Sequence, residues 1–427
     1  MELTNHIIIR NAKIIDIKSE HNNKKKDILI INGVIEDIKD TINYKSPFFE
    51  VKIDNLHVSP GWIDLHTRLC EPGFEHRETI KSGLKSASHG GFTAVLVMPN
   101  TNPPIYTKTD IVYLLKEGLH NIVDILPTGC ITANCEQKKI SEMFDMHKHG
   151  ALAFTDDKKN IQNSKLMTIA LEYVKNFEGL IMATNMEQSL NQDGQINEGI
   201  ISTELGLEPS PELAEDLMIM RNLKILEYTD SKLHLSTIST QQSVEQIKAA
   251  KKKKLKVSSD VAAHHLILDD QSLNNFDTNL KVMPPLRDKK TRINLIKGII
   301  DGTIDAISSD HTPIEIERKK REFEKAEFGI IGLETVFPII NTILKDKLEL
   351  EKIIALISSN PRKILNVKQP VIEEGEKANI TLFDPDKKWH YQEDNIQSIS
   401  KNTPFINYEF VGKSIGIINN GKIYINH

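Results

Sequence analysis

Runs of β-branched residues open and close the chain. Residues 7–16 and 27–38 are rich in isoleucine, and Asn32-Gly33 interrupts the second run. Asn-Gly readily takes the two positive-φ positions of a tight hairpin, so paired strands are predicted there. Residues 378–384 and 414–425 repeat the pattern, with Asn420-Gly421 as the second hairpin signal. The long middle is different. Short apolar runs at 62–66, 93–98, 123–127, 151–155, 180–184, 232–236, 256–259 and 305–310 alternate with helix-like segments at 78–89, 110–119, 164–175, 211–222 and 241–253. Eight strand–helix alternations over this length predict a (β/α)8 TIM-type barrel of the α/β class. The expected organisation is a barrel over 59–365 and a small composite β-sandwich domain built from 1–58 with 366–427.

In such a barrel, chemistry sits at the C-terminal ends of the strands. Those ends carry His66, Asn100, Asp157, Asn185, Thr237, His264 and Asp310, a mostly polar rim. Composition narrows the class further. The chain has 427 residues, with 54 Lys+Arg against 59 Asp+Glu and a net charge of −5. A mildly acidic balance argues against nonspecific nucleic-acid binding. No apolar run is long enough to cross a membrane. Three cysteines, Cys70, Cys130 and Cys135, are too few for a disulfide framework, so a reducing cytoplasmic setting is expected. Cys130 and Cys135 lack the partners of a zinc knuckle. The first residues, Met1 to His6, lack the basic and apolar regions of an export signal. Lys251 to Lys254 read as a solvated helix end, and the mixed charges of 315–325 as an exposed segment after the eighth strand.

Specific motifs then appear. Pro60-Gly-Trp-Ile-Asp-Leu-His66-Thr-Arg68 runs on to Glu71-Pro-Gly73, followed by Gly90-Gly-Phe-Thr and Met98-Pro-Asn-Thr-Asn-Pro. Further along come Ala153-Phe-Thr-Asp-Asp157, His264-His-Leu, Met283-Pro-Pro-Leu-Arg, Ser309-Asp-His-Thr-Pro and Phe328-Gly-Ile-Ile-Gly-Leu-Glu. In this order, across nearly the whole chain, they resemble the dihydroorotases of the amidohydrolase superfamily. That family has a (β/α)8 barrel with a small β domain from both termini. It interconverts N-carbamoyl-L-aspartate and L-dihydroorotate in pyrimidine biosynthesis. One or two zinc ions polarise the amide and activate water, and an aspartate after the last strand moves the proton.

The resemblance implies roles residue by residue. His66 and Asp157 fall on metal-ligand positions, and Asp310 on that of the catalytic aspartate, which also touches the metal. Asn100 falls on a substrate-binding position. Where the family has further metal histidines, this chain has Arg68, Asn185 and Thr237. The second metal thus keeps only Asp157 of its ligands. The first keeps His66, Asp157 and Asp310, with Arg68 in the fourth place. A guanidinium neither ligates nor deprotonates in a protein. Beside two carboxylates it should form charge-assisted pairs with them. Arg68 is therefore expected in the cation's place. The alternative is a substrate-carboxylate arginine displaced by one step along a shared strand face, since the family's substrate arginine falls on Cys70. His66 is either a remaining ligand or a hydrogen-bonded barrel residue. The family's substrate-shell Asn and His fall on Met283 and Ile314, so polar substrate fixing is eroded.

Three functions compete on this reading. One is a metal-ligand-deficient dihydroorotase homologue without catalysis, with no cofactor, kept as a structural partner of aspartate transcarbamoylase. Another is an active enzyme, a dihydroorotase or a related cyclic amidase, with zinc at one remodelled site. The third is an unrelated interaction role, as in metal-free dihydropyrimidinase-like proteins. A homodimer is expected by resemblance, and neither nucleic acid nor membrane is an expected partner.

Overall fold

The computed structural model describes residues 6–426, so the first five residues of the opening segment lie outside it. Eight parallel strands follow one another around a barrel: β1 (Trp62–Thr67), β2 (Phe92–Val97), β3 (Asp124–Gly129), β4 (Ala153–Phe154), β5 (Ile181–Ala183), β6 (Leu233–Leu235), β7 (Val257–Ala262) and β8 (Ala306–Ser308). Each pairs with its neighbours in sequence order. The seam between β8 and β1 is closed by residues just beyond the strands. The Arg68 amide donates to the His311 carbonyl at 3.0 Å, and the His311 amide donates to the His66 carbonyl at 3.1 Å. Side-chain alternation explains the layers. Ile63, Leu65, Ala94, Leu96 and Met182 share one apolar cluster, while Val95, Val97, Ile181, Leu233 and Leu235 belong to a larger one that includes the surrounding helices.

The helices start where the side chains dictate. Thr79 caps Ile80–Gly90 with a reciprocal Ser82 bond, and Asn163, Thr240 and Asp288 cap Ser164–Lys175, Gln241–Lys252 and Lys289–Ile300. Among the described residues, no helix is long and apolar enough to span a membrane.

Both chain ends build the second sheet. Its strands run in the order Lys422–Ile425, Glu409–Asn419, Ile380–His390, His57–Pro60, His6–Ile14, Lys25–Ile31 and Val34–Lys39, with Phe49–Val51 beside His6–Ile14. Ile380–His390 pairs antiparallel with His57–Pro60, which joins the two termini. Both Asn-Gly pairs form two-residue hairpin turns, with positive φ at Asn32, Gly33, Asn420 and Gly421. The two turns touch: a Cβ on Gly33 would lie 2.9 Å from the Gly421 Cα. The edge strands therefore meet, and the curled sheet encloses Ile7, Ile28, Val58, Ile380 and Ile418. Trp62 of β1 packs on Phe337 and Phe383, at 4.7 and 5.5 Å between ring centres, and so joins barrel and sheet.

Candidate active site and its ion pairs

Asp64 sets the position of everything at the barrel mouth. It is fully buried, and its carboxylate accepts from the Ser309 amide at 2.6 Å, the Ser309 hydroxyl at 2.7 Å and the His66 amide at 3.2 Å. The Thr67 hydroxyl also donates to it. One carboxylate thus ties the end of β1 to the end of β8. Pairing between β1 and β2 shifts register between Asp64 and Thr67, as strands often do beside active sites. The strand ends at Thr67, so Arg68 and Cys70 lie beyond it rather than on one continuous strand face.

Strain collects at the same rim. Cys70, Asp157, Thr237 and Asp310 all have positive φ, between 47° and 62°. Non-glycine residues hold this conformation only where the surroundings impose it, typically at functional sites. At Asp157 the turn is fixed by its amide donating to the Thr155 hydroxyl at 2.9 Å, and by the Thr184 hydroxyl donating to its carbonyl at 2.5 Å.

Four of the residues singled out from the sequence meet here. His66 Nε2 lies 2.9 Å from Asp157 Oδ1 and 3.5 Å from Asp310 Oδ1. Arg68 Nη2 lies 2.5 Å from Asp157 Oδ2. A fifth residue was not foreseen. Lys158 Nζ sits 2.9 Å from Asp310 Oδ1 and 3.4 Å from the Thr237 hydroxyl. Each carboxylate thus has its own side-chain cation. Burial works against the Asp157 carboxylate, but Arg68, His66 and Lys158 outweigh it and hold its pKa well below the usual range. Burial also opposes the Arg68 charge, and Asp157 and Asp310 reverse that effect and raise its pKa.

The other rim residues point elsewhere. Asn100 is partly buried beyond β2 and, among the described residues, shares no ion pair or hydrogen bond with the cluster. Asn185 donates to the Ala183 carbonyl and accepts from Asn222, both at 2.9 Å, so it serves a buried amide network. His264 and His265 are buried with ring centres 4.5 Å apart. Burial, aided by Lys158, pushes His264 down to about 3, so it is neutral near pH 7. His234 lies deeper, between Asp260 at 2.7 Å and Ser258 at 2.8 Å. Burial pushes the Cys70 thiol up to about 12, which leaves it unreactive. Ile314 is buried, and Met283 lines a cavity of about 400 Å³ with Lys158, Gln188, Asn191 and Phe328. The remaining cysteines depart from the reduced state expected of them: Cys130 and Cys135 form a disulfide across a short loop, and Cys70 is free.

A metal of the dihydroorotase kind fits this donor set poorly. Asn185 and Thr237 offer no imidazole. Among the described residues, the His, Cys, Asp and Glu donors that converge within 4.8 Å of one another are those of Cys130, Cys135 and Asp156, and His66, Asp157 and Asp310 are not such a set. Each of the two carboxylates instead faces a side-chain cation.

Comparison with known proteins agrees with the motifs. A family model described as dihydro-orotase-like matches residues 56–243. The dihydroorotase of Carboxydothermus hydrogenoformans is 39% identical over 421 residues, covering 98% of this chain and 97% of that one. The dihydroorotase of Syntrophus aciditrophicus is 37% identical over 420 residues, covering 98% of each. Among solved structures, the L-hydantoinase of Arthrobacter aurescens superimposes with a TM-score of 0.84 at 21% identity, covering 98% of this chain and 95% of that one. The dihydropyrimidinase of Brevibacillus agri gives 0.81 at 18%, covering 99% and 95%. The hydantoinase-like architecture and the full-length identity to named dihydroorotases converge: this chain belongs to the dihydroorotase family.

Proposed function

We propose that this chain is a dihydroorotase homologue in which Arg68 and Lys158 stand in for the metal ions, and that it serves pyrimidine biosynthesis as a structural partner of aspartate transcarbamoylase rather than as a catalyst. The observation that carries this reading is the pair of contacts Arg68–Asp157 and Lys158–Asp310, at 2.5 and 2.9 Å. Cyclic-amide hydrolysis needs an activated water and a free base. A guanidinium cannot bind water as a Lewis acid does and cannot deprotonate. Asp310, the residue that would move the proton, is engaged by Lys158. The replacement of a polar substrate shell by Cys70, Met283 and Ile314 points the same way.

Zinc content of the unreduced chain, purified in zinc-containing buffer, tests the site. Sub-stoichiometric zinc and no turnover of dihydroorotate are expected; one tightly bound zinc per chain with turnover overturns the reading. Co-purification with the transcarbamoylase tests the assembly role. If transcarbamoylase from the same cell is fully assembled and active without this chain, that role fails.

A second reading is an active enzyme with one zinc. It rests on the retained donors: His66 Nε2, both Asp157 oxygens and Asp310 Oδ1 are buried and lack a hydrogen-bond partner. Turnover that rises with added zinc and disappears in Asp310→Ala would support it.

A further inference from the structure

Outside the barrel centre, the group with metal-ligating chemistry is Cys130, Cys135 and Asp156. Their donor atoms lie within 4.8 Å of one another, and all three residues are at most 5% exposed. Two sulfurs and one carboxylate suit a zinc-class ion, with water as the fourth ligand. Asp156 is the unusual member. Among the described residues, no basic side chain lies within ion-pair distance of it, and its oxygens accept from Thr132, whose amide donates at 3.0 Å and whose hydroxyl also donates. An ionised carboxylate buried against sulfur without a cation is costly unless a cation comes to it. A disulfide has no use for such a neighbour; two thiolates around a metal do.

The loop is built to change. Asn134, Cys135 and Gln137 all hold positive φ, at 55°, 49° and 58°. Its ends are anchored, the Cys130 amide donating to the Ile105 carbonyl at 2.8 Å and the Ser141 hydroxyl to the Cys130 carbonyl at 2.6 Å. Opening the disulfide would therefore move the Cys135 side of the loop while Cys130 stays in place.

The geometry points to a redox-gated metal site: reduction of Cys130–Cys135 exposes a dithiol–carboxylate pocket that takes one zinc-class divalent ion. A small-molecule thiol supplies the two electrons. Two reductant thiols become one disulfide, the protein disulfide becomes two thiols, and metal binding then displaces their two protons. Asp156 is followed directly by Asp157 and Lys158. Metal occupancy would thus grip the turn that carries one partner of each barrel ion pair.

Cobalt(II) is the probe. The full chain is reduced with a phosphine, desalted without air and titrated. One cobalt per chain with a thiolate-to-metal charge-transfer band is expected, displaced by zinc and absent from the unreduced chain. The band should vanish in Cys130→Ser and Cys135→Ser, persist in Cys70→Ser, and need at least tenfold more cobalt in Asp156→Asn. Zinc should also protect Cys130 and Cys135 of the unmutated chain from alkylation, which needs no variant to fold. A reduced chain that shows no band and no protection overturns the proposal, as does a band that survives both serine variants. Cobalt bound by His66, Asp157 and Asp310 lacks thiolate and gives no such band, so failure here and failure of the ion-pair reading are distinguishable.

Discussion

Arg68→Met is the sharpest perturbation of the ion-pair centre. Methionine keeps most of the side-chain length and apolar volume but removes the cation 2.5 Å from Asp157 Oδ2. Asp157 is 3% exposed, so water cannot replace the lost partner. At 4 Å and an effective dielectric near 20, one charge pair is worth about 4 kcal/mol. Measured losses on breaking buried pairs are roughly 3–5 kcal/mol, because the remaining charge is stranded. Arg68→Met should therefore lose about 3–5 kcal/mol at pH 7. The pH dependence carries the sign. In the parent, Asp157 has a depressed pKa, so its stabilisation is present above the ordinary carboxylate range and is lost as pH falls through the depressed value. In Arg68→Met, burial has one fewer opponent and the pKa of Asp157 rises. The variant's deficit should then shrink as pH falls through that raised value. Arg68→Met/Asp157→Asn removes both charges and should recover most of the loss, for a coupling of at least about 2 kcal/mol. The assay is denaturant unfolding with chelator present, followed by Trp62 fluorescence, since Trp62 is buried at the start of the strand that leads to Arg68. An Arg68→Met chain within about 0.5 kcal/mol of the parent, or a double variant as unstable as the single, would refute the reasoning.

Other outcomes follow from the same structure. Lys158→Met should cost less, about 1–2 kcal/mol, because Lys158 is 20% exposed and solvent already screens its pair with Asp310; denaturation midpoints of the two methionine variants give the order. Asp64→Ala strands the Ser309 and His66 amides and two hydroxyls, and should cost at least about 3 kcal/mol by the same assay. His264, held near 3, and His89, near 4, are neutral in the fold but protonate below about 6.5 when unfolded. Their contribution is complete above about 6.5 and is lost as pH falls towards the folded values, each with a slope approaching 1.4 kcal/mol per pH unit. Asp156 and Asp216, raised to about 6, work in the opposite sense. Replacing His264 by Gln should flatten the acid limb of a stability–pH curve; an unchanged limb would count against its burial as a neutral ring.

The barrel and the terminal sheet were legible because their signals are local. Strand runs at regular spacing, and Asn-Gly pairs between β-branched residues, carry the pairing with them. His66, Arg68, Asp157 and Asp310 could be brought together from sequence because parallel strands deliver their C-terminal ends to one rim. Lys158 could not. Its direction depends on the positive φ of Asp157, which a sequence does not display, although a lysine in place of the glycine that usually follows this aspartate in the family was a usable signal. Asn185 illustrates the opposite case: its position is correct, but an amide pair with Asn222 turns it from the cluster. The Cys130–Cys135 link also escaped, since five residues of separation say nothing of whether the intervening turns bring the sulfurs together.

The strand pair that joins the two termini has a consequence for biosynthesis. His57–Pro60 and Ile380–His390 are separated by 319 residues of chain. At roughly 5–20 residues per second, a ribosome needs on the order of 15–60 s to bridge that interval. Throughout it, His57–Pro60 waits with an open edge beside strands that are already made. Such edges recruit other chains. The nascent protein is therefore most prone to aggregate before its last 50 residues emerge, and a truncation that removes them should prolong chaperone residence even though the barrel is complete.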